Sequence, residues 1–388
     1  MSHRVGLSIA ICALLSAPAW SRPDLAKIKA DYQAASAQVK KHQSSDGQYL
    51  DNDPQSPKWL AKKWAVAGEW LATSLDASDS AGPDRVQAAM HELEPSEKPA
   101  FIALDATTYV ASAPGDFGNF FIVSKTAGHF RVAWSIADQQ PVHGKQAEML
   151  AAWRPENARG QRRDIPTAGP VNGVLGLLPA DAKGRARFYI EGIYVEPIGS
   201  TVPAQVTVWI WDGTHARLLI ARRFGVMLVQ KVGTRLDGEL LKVQQKREFR
   251  TFSSCGQCEG RQVDWIIRVD GKGIADLGEA STMPELDAVD ELLFRLIHGR
   301  STTDIASPTA IKSASAILRD ARGGQSAKEW MKFPTIGMMG NWTVRKMHGA
   351  EMLCFTADES GTNIYKLITK AGGFFIEDIT RSDADCSK

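Results

Sequence analysis

Two thiols separated by two residues, Cys255-Gly256-Gln257-Cys258, are the residues of this 388-residue chain best placed to do chemistry. A pair at that spacing can close a disulfide, ligate a metal or exchange electrons with another dithiol through its thiolate. Zinc needs two further ligands. His215 and His298 exist, but no second cysteine or histidine pair stands at ligand spacing, so neither metal nor cofactor is expected. The pair reads first as a structural disulfide, with redox exchange as the main alternative.

Cys354 lies in a β-like run, Met352-Leu353-Cys354-Phe355, and Cys386 is two residues from the C-terminus. A bond between them would pin a polar tail to a strand, and it is the preferred structural pairing. Trp209 and Trp211 alternate with Val208 and Ile210, so both indoles share one face of a strand. Exposed, they would form a binding platform; buried, they are core. Arg154, Arg159, Arg162 and Arg163 cluster with Glu156 and Asp164, either as an anion contact or as a solvated loop. His42, His91, His129, His143, His215, His298 and His348 are scattered without the paired helical spacing of a zinc protease. No Gly-x-Ser-x-Gly elbow or Ser-x-x-Lys run occurs. Gly173-Val174-Leu175-Gly176 lacks the Lys-Ser/Thr of a phosphate loop, and Asp51-Asn52-Asp53 lacks the rest of a calcium loop.

The four residues from Cys255 to Cys258 are similar to the active-site run of thioredoxin-like oxidoreductases, and that resemblance implies thiol–disulfide exchange. Those proteins place the first cysteine at a helix N-terminus, which favours the thiolate. Here Phe249–Phe252 and Val263–Val269 read as flanking strands, which puts the motif in a hairpin loop.

The compartment follows from the N-terminus. Arg4, the largely apolar run Val5 to Leu15 and the small residues Ala17-Pro18-Ala19 have the layout of a secretory leader over residues 1–21, too short to span a bilayer. Cys12 sits inside the apolar run and reads as filler. The expectation is a soluble periplasmic or secreted protein, in which disulfides persist. A formal net charge of +2 leaves no long-range field for nucleic acid, and no later stretch is apolar enough for integral membrane insertion.

The elements that must position these residues divide into three regions. Over residues 22–98, apolar residues at steps of three and four (Ile28, Tyr32, Ala35, Val39, then Leu60, Trp64, Ala67, Leu71) predict two helices. A connector is expected over Ser44–Pro57, with Ser56-Pro57 starting the second helix. A third helix runs from Pro83 to before Pro95. Over residues 99–281 the pattern changes to hairpins turning at Gly128, Asp212-Gly213 and Asp270-Gly271, and a fourth turns at Gly372-Gly373. Each has a β-like run upstream: Thr108–Ala111, Phe188–Val195, Glu248–Phe252 and Glu351–Thr356. This hints at a repeated antiparallel unit. The uneven spacing of the turns favours independent hairpins over propeller blades. Gln146–Trp153 reads as a helix, and Trp330 as part of a short turn.

Over residues 282–388, Thr282-Met283-Pro284-Glu285 fits a capping box, and Leu286, Val289, Leu293 and Leu296 form the stripe of a helix stopped by Gly299. A second helix runs from Ser307-Pro308 to Gly323-Gly324, with Ile311, Ala314 and Leu318 inward. This order of helices followed by antiparallel strands is similar to that of nuclear-transport-factor-2-like domains, and the resemblance implies a curved sheet around a pocket. The whole is an α+β protein: N-terminal helices, central antiparallel hairpins or a meander, and C-terminal helices followed by an antiparallel sheet. The function expected is non-catalytic binding of a cell-envelope ligand or protein. The alternatives are a thiol–disulfide protein using Cys255 and Cys258, or a hydrolase assembled only by folding.

Overall fold

The computed structural model describes residues 24–42, 55–95, 100–113, 116–135, 170–194, 201–227, 233–247, 249–251, 261–325, 337, 339–347, 349–357, 361–383 and 386. Helices α1 (Leu25–Lys41), α2 (Gln55–Asp76) and α3 (Pro83–Leu93) lead into strands β1 (Phe101–Ala103), β2 (Thr108–Ala113), β3 (Asp116–Thr126) and β4 (His129–Ser135). Next come β5 (Pro170–Leu178), β6 (Arg187–Tyr194), β7 (Thr201–Trp211) and β8 (Ala216–Met227). They are followed by β9 (Thr234–Asp237), β10 (Leu240–Arg247), β11 (Arg261–Asp270) and β12 (Gly273–Ser281). Helices α4 (Pro284–Ile297) and α5 (Pro308–Arg322) precede β13 (Met339–Met347), β14 (Ala350–Ala357), β15 (Gly361–Lys370) and β16 (Gly373–Ser382). The protein is mixed α+β with more strand than helix.

The described strands form four sheets, each a meander of four consecutive antiparallel strands. Each expected hairpin is the last pair of its sheet, and the runs expected upstream of three of them are second strands β2, β6 and β14. In the third sheet the second strand is Leu240–Arg247 rather than Glu248–Phe252. Pairing with β11 ends at Arg247–Arg261, and Phe249 then turns into the C-terminal core. The unequal spacing of the turns follows from the long segment 136–169 between the first two sheets and the helices between the last two.

Alternation along the strands builds layers. Tyr109, Ala111, Phe121, Val123 and Phe130 on one face of the first sheet pack on Ala67, Leu71 and Leu75 of α2 and on α3. Val110, Phe120, Ile122 and Trp134 on its other face meet Phe188, Ile190, Trp209 and Trp211 of the second sheet. The opposite face of that sheet, with Tyr189, Val206 and Val208, packs on Leu241, Val243, Trp265 and Ile267 of the third. Gly176 is needed in this stack because the Tyr189 ring lies over it; an added Cβ would come within 2.2 Å of the ring. Trp70 Nε1 donates to the Ala89 carbonyl at 2.6 Å and ties α2 to α3.

The C-terminal unit has the expected order of helices then sheet. The sheet face covered by α4 and α5 is filled: Leu286, Val289, Leu293, Ala310 and Ala314 pack among Leu353, Phe355, Tyr365, Leu367 and Ile376. Ser307 caps α5, accepting from the Ala310 N–H at 3.0 Å, and Gly323 ends it with a positive φ of 54°. Ala310, Ala314, Ile317 and Ala321 take the buried stripe, with Ile311 and Leu318 at its border. Two expected helix starts are corrected. α2 begins at Gln55, ahead of Ser56-Pro57. Thr282 does not cap α4, whose N-cap is Met283; its hydroxyl donates to the Gln262 carbonyl of β11 at 3.1 Å, which serves the junction instead.

That junction rests on Asp290, buried on α4. Its carboxylate accepts from Arg250 N (3.0 Å), Arg250 Nε (2.9 Å), Thr251 N (2.9 Å) and Thr251 Oγ1 (2.7 Å). Arg261 adds two bonds to Asp287, at 2.6 and 3.0 Å. Removing the Asp290 carboxylate leaves the buried Thr251 N–H and hydroxyl without their acceptor, while the half-exposed Arg250 keeps its pair with Glu291, so Asp290→Ala is expected to cost about 2–4 kcal/mol in denaturant melts. A loss within about 0.5 kcal/mol, typical of a surface change, would contradict the clamp.

Cys354 and Cys386 form a disulfide across 32 residues, as expected. Loop closure on that scale predicts a loss of roughly 3–4 kcal/mol for Cys386→Ala under oxidising conditions. Under reducing conditions the variant and the parent should melt together.

Candidate functional site

Helix α2 packs against the edge strand β4. Gly68 sets their closeness: a Cβ there would sit 2.9 Å from Val132 Cγ2 and 3.5 Å from the Phe121 ring. A cleft of about 1000 Å³ opens along this contact. Trp64, Gly68, Ala72, Phe121, Phe130 and Val132 supply its apolar lining. The helical wall adds Asp24, Glu69, Thr73 and Asp76, and the strand wall adds His129, Arg131 and Ser135. Volume, apolar lining and a few polar groups are the usual attributes of a small-ligand or peptide-side-chain pocket.

Asp76 ties the two walls together. A carboxylate on the last residue of a helix opposes the macrodipole. Here it is held by β4, accepting from the Phe130 N–H at 2.6 Å with its second oxygen 3.2 Å from His129 Nδ1. A carboxylate, an imidazole and Ser135 on one cleft suggest nucleophilic catalysis, but the strand forbids it. Ser135 is six residues beyond His129 on β4, about 20 Å away at about 3.3 Å per residue. His129 is also 61 % exposed in its side chain, without the burial that orients a catalytic base. Among the described residues, no group of three or more His, Cys, Asp or Glu side chains is arranged to hold a metal.

The residues singled out from the sequence fall elsewhere. Trp209 and Trp211 are 1 % and 6 % exposed, so they are core and form no platform. Trp209 stacks edge-on against Phe120 and Trp134, and its Nε1 donates to Thr207 Oγ1 at 2.9 Å. Cys354 and Cys386 staple the tail to β14. Cys255 and Cys258, Arg154, Arg159, Arg162 and Arg163, the leader, Asp51–Asp53, the helix expected over Gln146–Trp153 and Trp330 lie outside the described residues. Conversely, nothing in sequence pattern marked Gly68, Glu69, Asp76 or Arg131. Asp76 and His129 are 53 residues apart, and only the packing of α2 on β4 joins them.

Once the geometry is in view, comparison adds no assignment: no protein-family model and no curated protein matches the chain.

Glu191 on β6 is buried between the second and third sheets, with no partner for Oε2 among the described residues. Burial pushes its carboxyl up to about 7 from an ordinary value of 4.5, against a smaller pull from Thr234 on β9. The folded protein therefore keeps this proton over a range in which the unfolded chain has released it. Stability is expected to be greatest below about pH 4.5, to fall by about 3 kcal/mol as pH rises to about 7, and then to level off, as far as this group decides it. Urea melts across this window should show that slope, and Glu191→Gln should flatten it; an unchanged slope in the variant would assign the perturbation elsewhere.

Proposed function

We propose that this chain is an exported, non-catalytic binding protein whose ligand sits in the cleft between α2 and β4. The observation that carries the reading is the cleft itself: about 1000 Å³, apolar along its floor, and polar on both walls. Its histidine and serine are too far apart to act on one substrate atom. Export is supported by the charged, apolar and small-residue succession over residues 1–21 and by the Cys354–Cys386 bond, since disulfides persist outside the reducing cytosol. No helix among the described residues is long and apolar enough to cross a membrane.

Ala65 is exposed and lines the cleft, so a large side chain there fills the cleft without disturbing the core. Titration with the neutral apolar dye Nile red is expected to saturate, and Ala65→Trp is expected to weaken it by at least ~10-fold. Equal binding to both proteins would remove the cleft from consideration. Turnover of a p-nitrophenyl ester that disappears in His129→Ala would favour a hydrolase instead.

A further inference from the structure

We propose that this cleft takes an extended polypeptide segment carrying apolar and basic side chains, which pairs as an added strand with the open edge of β4. The inference rests on the cleft being the binding seat and names what fills it.

The strand geometry comes first. His129, Phe130, Arg131 and Val132 all line the cleft. Successive side chains on a strand point to opposite faces, so a cavity touching four in a row runs along the strand's edge rather than over one face. β4 is the outermost strand of its sheet, and no described strand pairs with its far side. The Phe130 N–H donates to Asp76, so the backbone there points away from β3 and into the cleft. Two residues later, the Val132 N–H and C=O point the same way, and its side chain is 36 % exposed. An open edge of this kind is a template for strand addition, with apolar side chains entering the adjacent pocket.

The carboxylates of the helical wall favour the same occupant, with the cationic Arg131 on the opposite, strand wall. On the helical wall, Glu69 is exposed, and Asp24 is engaged only as the cap of α1, accepting from the Ala26 N–H at 2.9 Å. Neither has a cationic partner among the described residues, whereas Asp76 is already committed to β4. A peptide laid along β4 with lysine or arginine reaching across to this wall meets both carboxylates. A small neutral ligand would fill the floor and leave the strand edge and the two carboxylates unmet.

The test is fluorescence anisotropy of the full chain with dye-labelled decapeptides. One alternates valine and lysine, the second is the same peptide N-methylated at alternate backbone amides, and the third alternates valine and glutamate. The lysine peptide should bind saturably, and N-methylation or replacement of lysine by glutamate should each weaken it by at least ~10-fold. Asp24→Asn, which keeps a capping side chain, combined with Glu69→Gln should weaken it by roughly fivefold and reduce its salt dependence. Equal binding of the N-methylated peptide would overturn strand addition, and equal binding of the glutamate peptide would overturn the charge match. If no peptide binds while Nile red binds in the manner blocked by Ala65→Trp, the peptide proposal fails and the cleft reading stands. If neither binds, both fail.

Discussion

Burial of both faces of two successive antiparallel sheets is the constraint on which the rest of this structure depends. An antiparallel sheet ordinarily keeps one face in water. Here the first sheet is covered by helices on one side and by the second sheet on the other, and the second sheet is covered in turn by the third. Where both faces of a sheet are covered, its inner strands must therefore supply apolar side chains at consecutive positions. Val206, Val208, Trp209 and Trp211 do this on β7, and Tyr109, Val110 and Ala111 do it on β2. The stack ends where this supply ends: the outer face of the third sheet carries Lys242, Gln244 and Arg268.

The two termini of the stack are finished differently. At the C-terminal end, the chain leaves β10 for Asp290, and a buried carboxylate holds the 249–251 segment on α4. This contact fixes where the second helix-and-sheet unit attaches. At the N-terminal end, α2 covers only part of the first sheet. It lies tight against β4 at Gly68 and leaves an open channel along the strand edge. The cleft lies beside this contact, between the helix and the outer edge of the sheet's last strand.

Much of the architecture is local enough to be read from residue order. The four hairpin turns, the Ser307 cap and Gly323 stop of α5, and the staple from Cys354 to Cys386 all depend on neighbours in sequence or on one covalent preference. Two of the misreadings share one cause. Thr282 has the sequence context of a helix cap, yet its hydroxyl is drawn to the Gln262 carbonyl of a strand that the sequence does not place beside it. Glu248–Phe252 has β-forming composition, but Asp290 takes the backbone N–H groups of Arg250 and Thr251 that a ladder would need. In both, a tertiary partner outbid a local preference.

The sequence by itself determined element type, turn position and one disulfide, because periodicity, turn chemistry and thiol pairing act over short distances or through a bond. It also determined that Trp209 and Trp211 share a face, though not that the face is buried. The tertiary structure alone decided the stacking of sheets, the pairing of Asp76 with β4 across 53 residues and the cleft beside it. Those depend on which surfaces meet, and a surface left open carries no periodic mark in the chain. Glu69, Gly68 and Val132 look ordinary in sequence and become a site only when a helix is laid beside a strand edge.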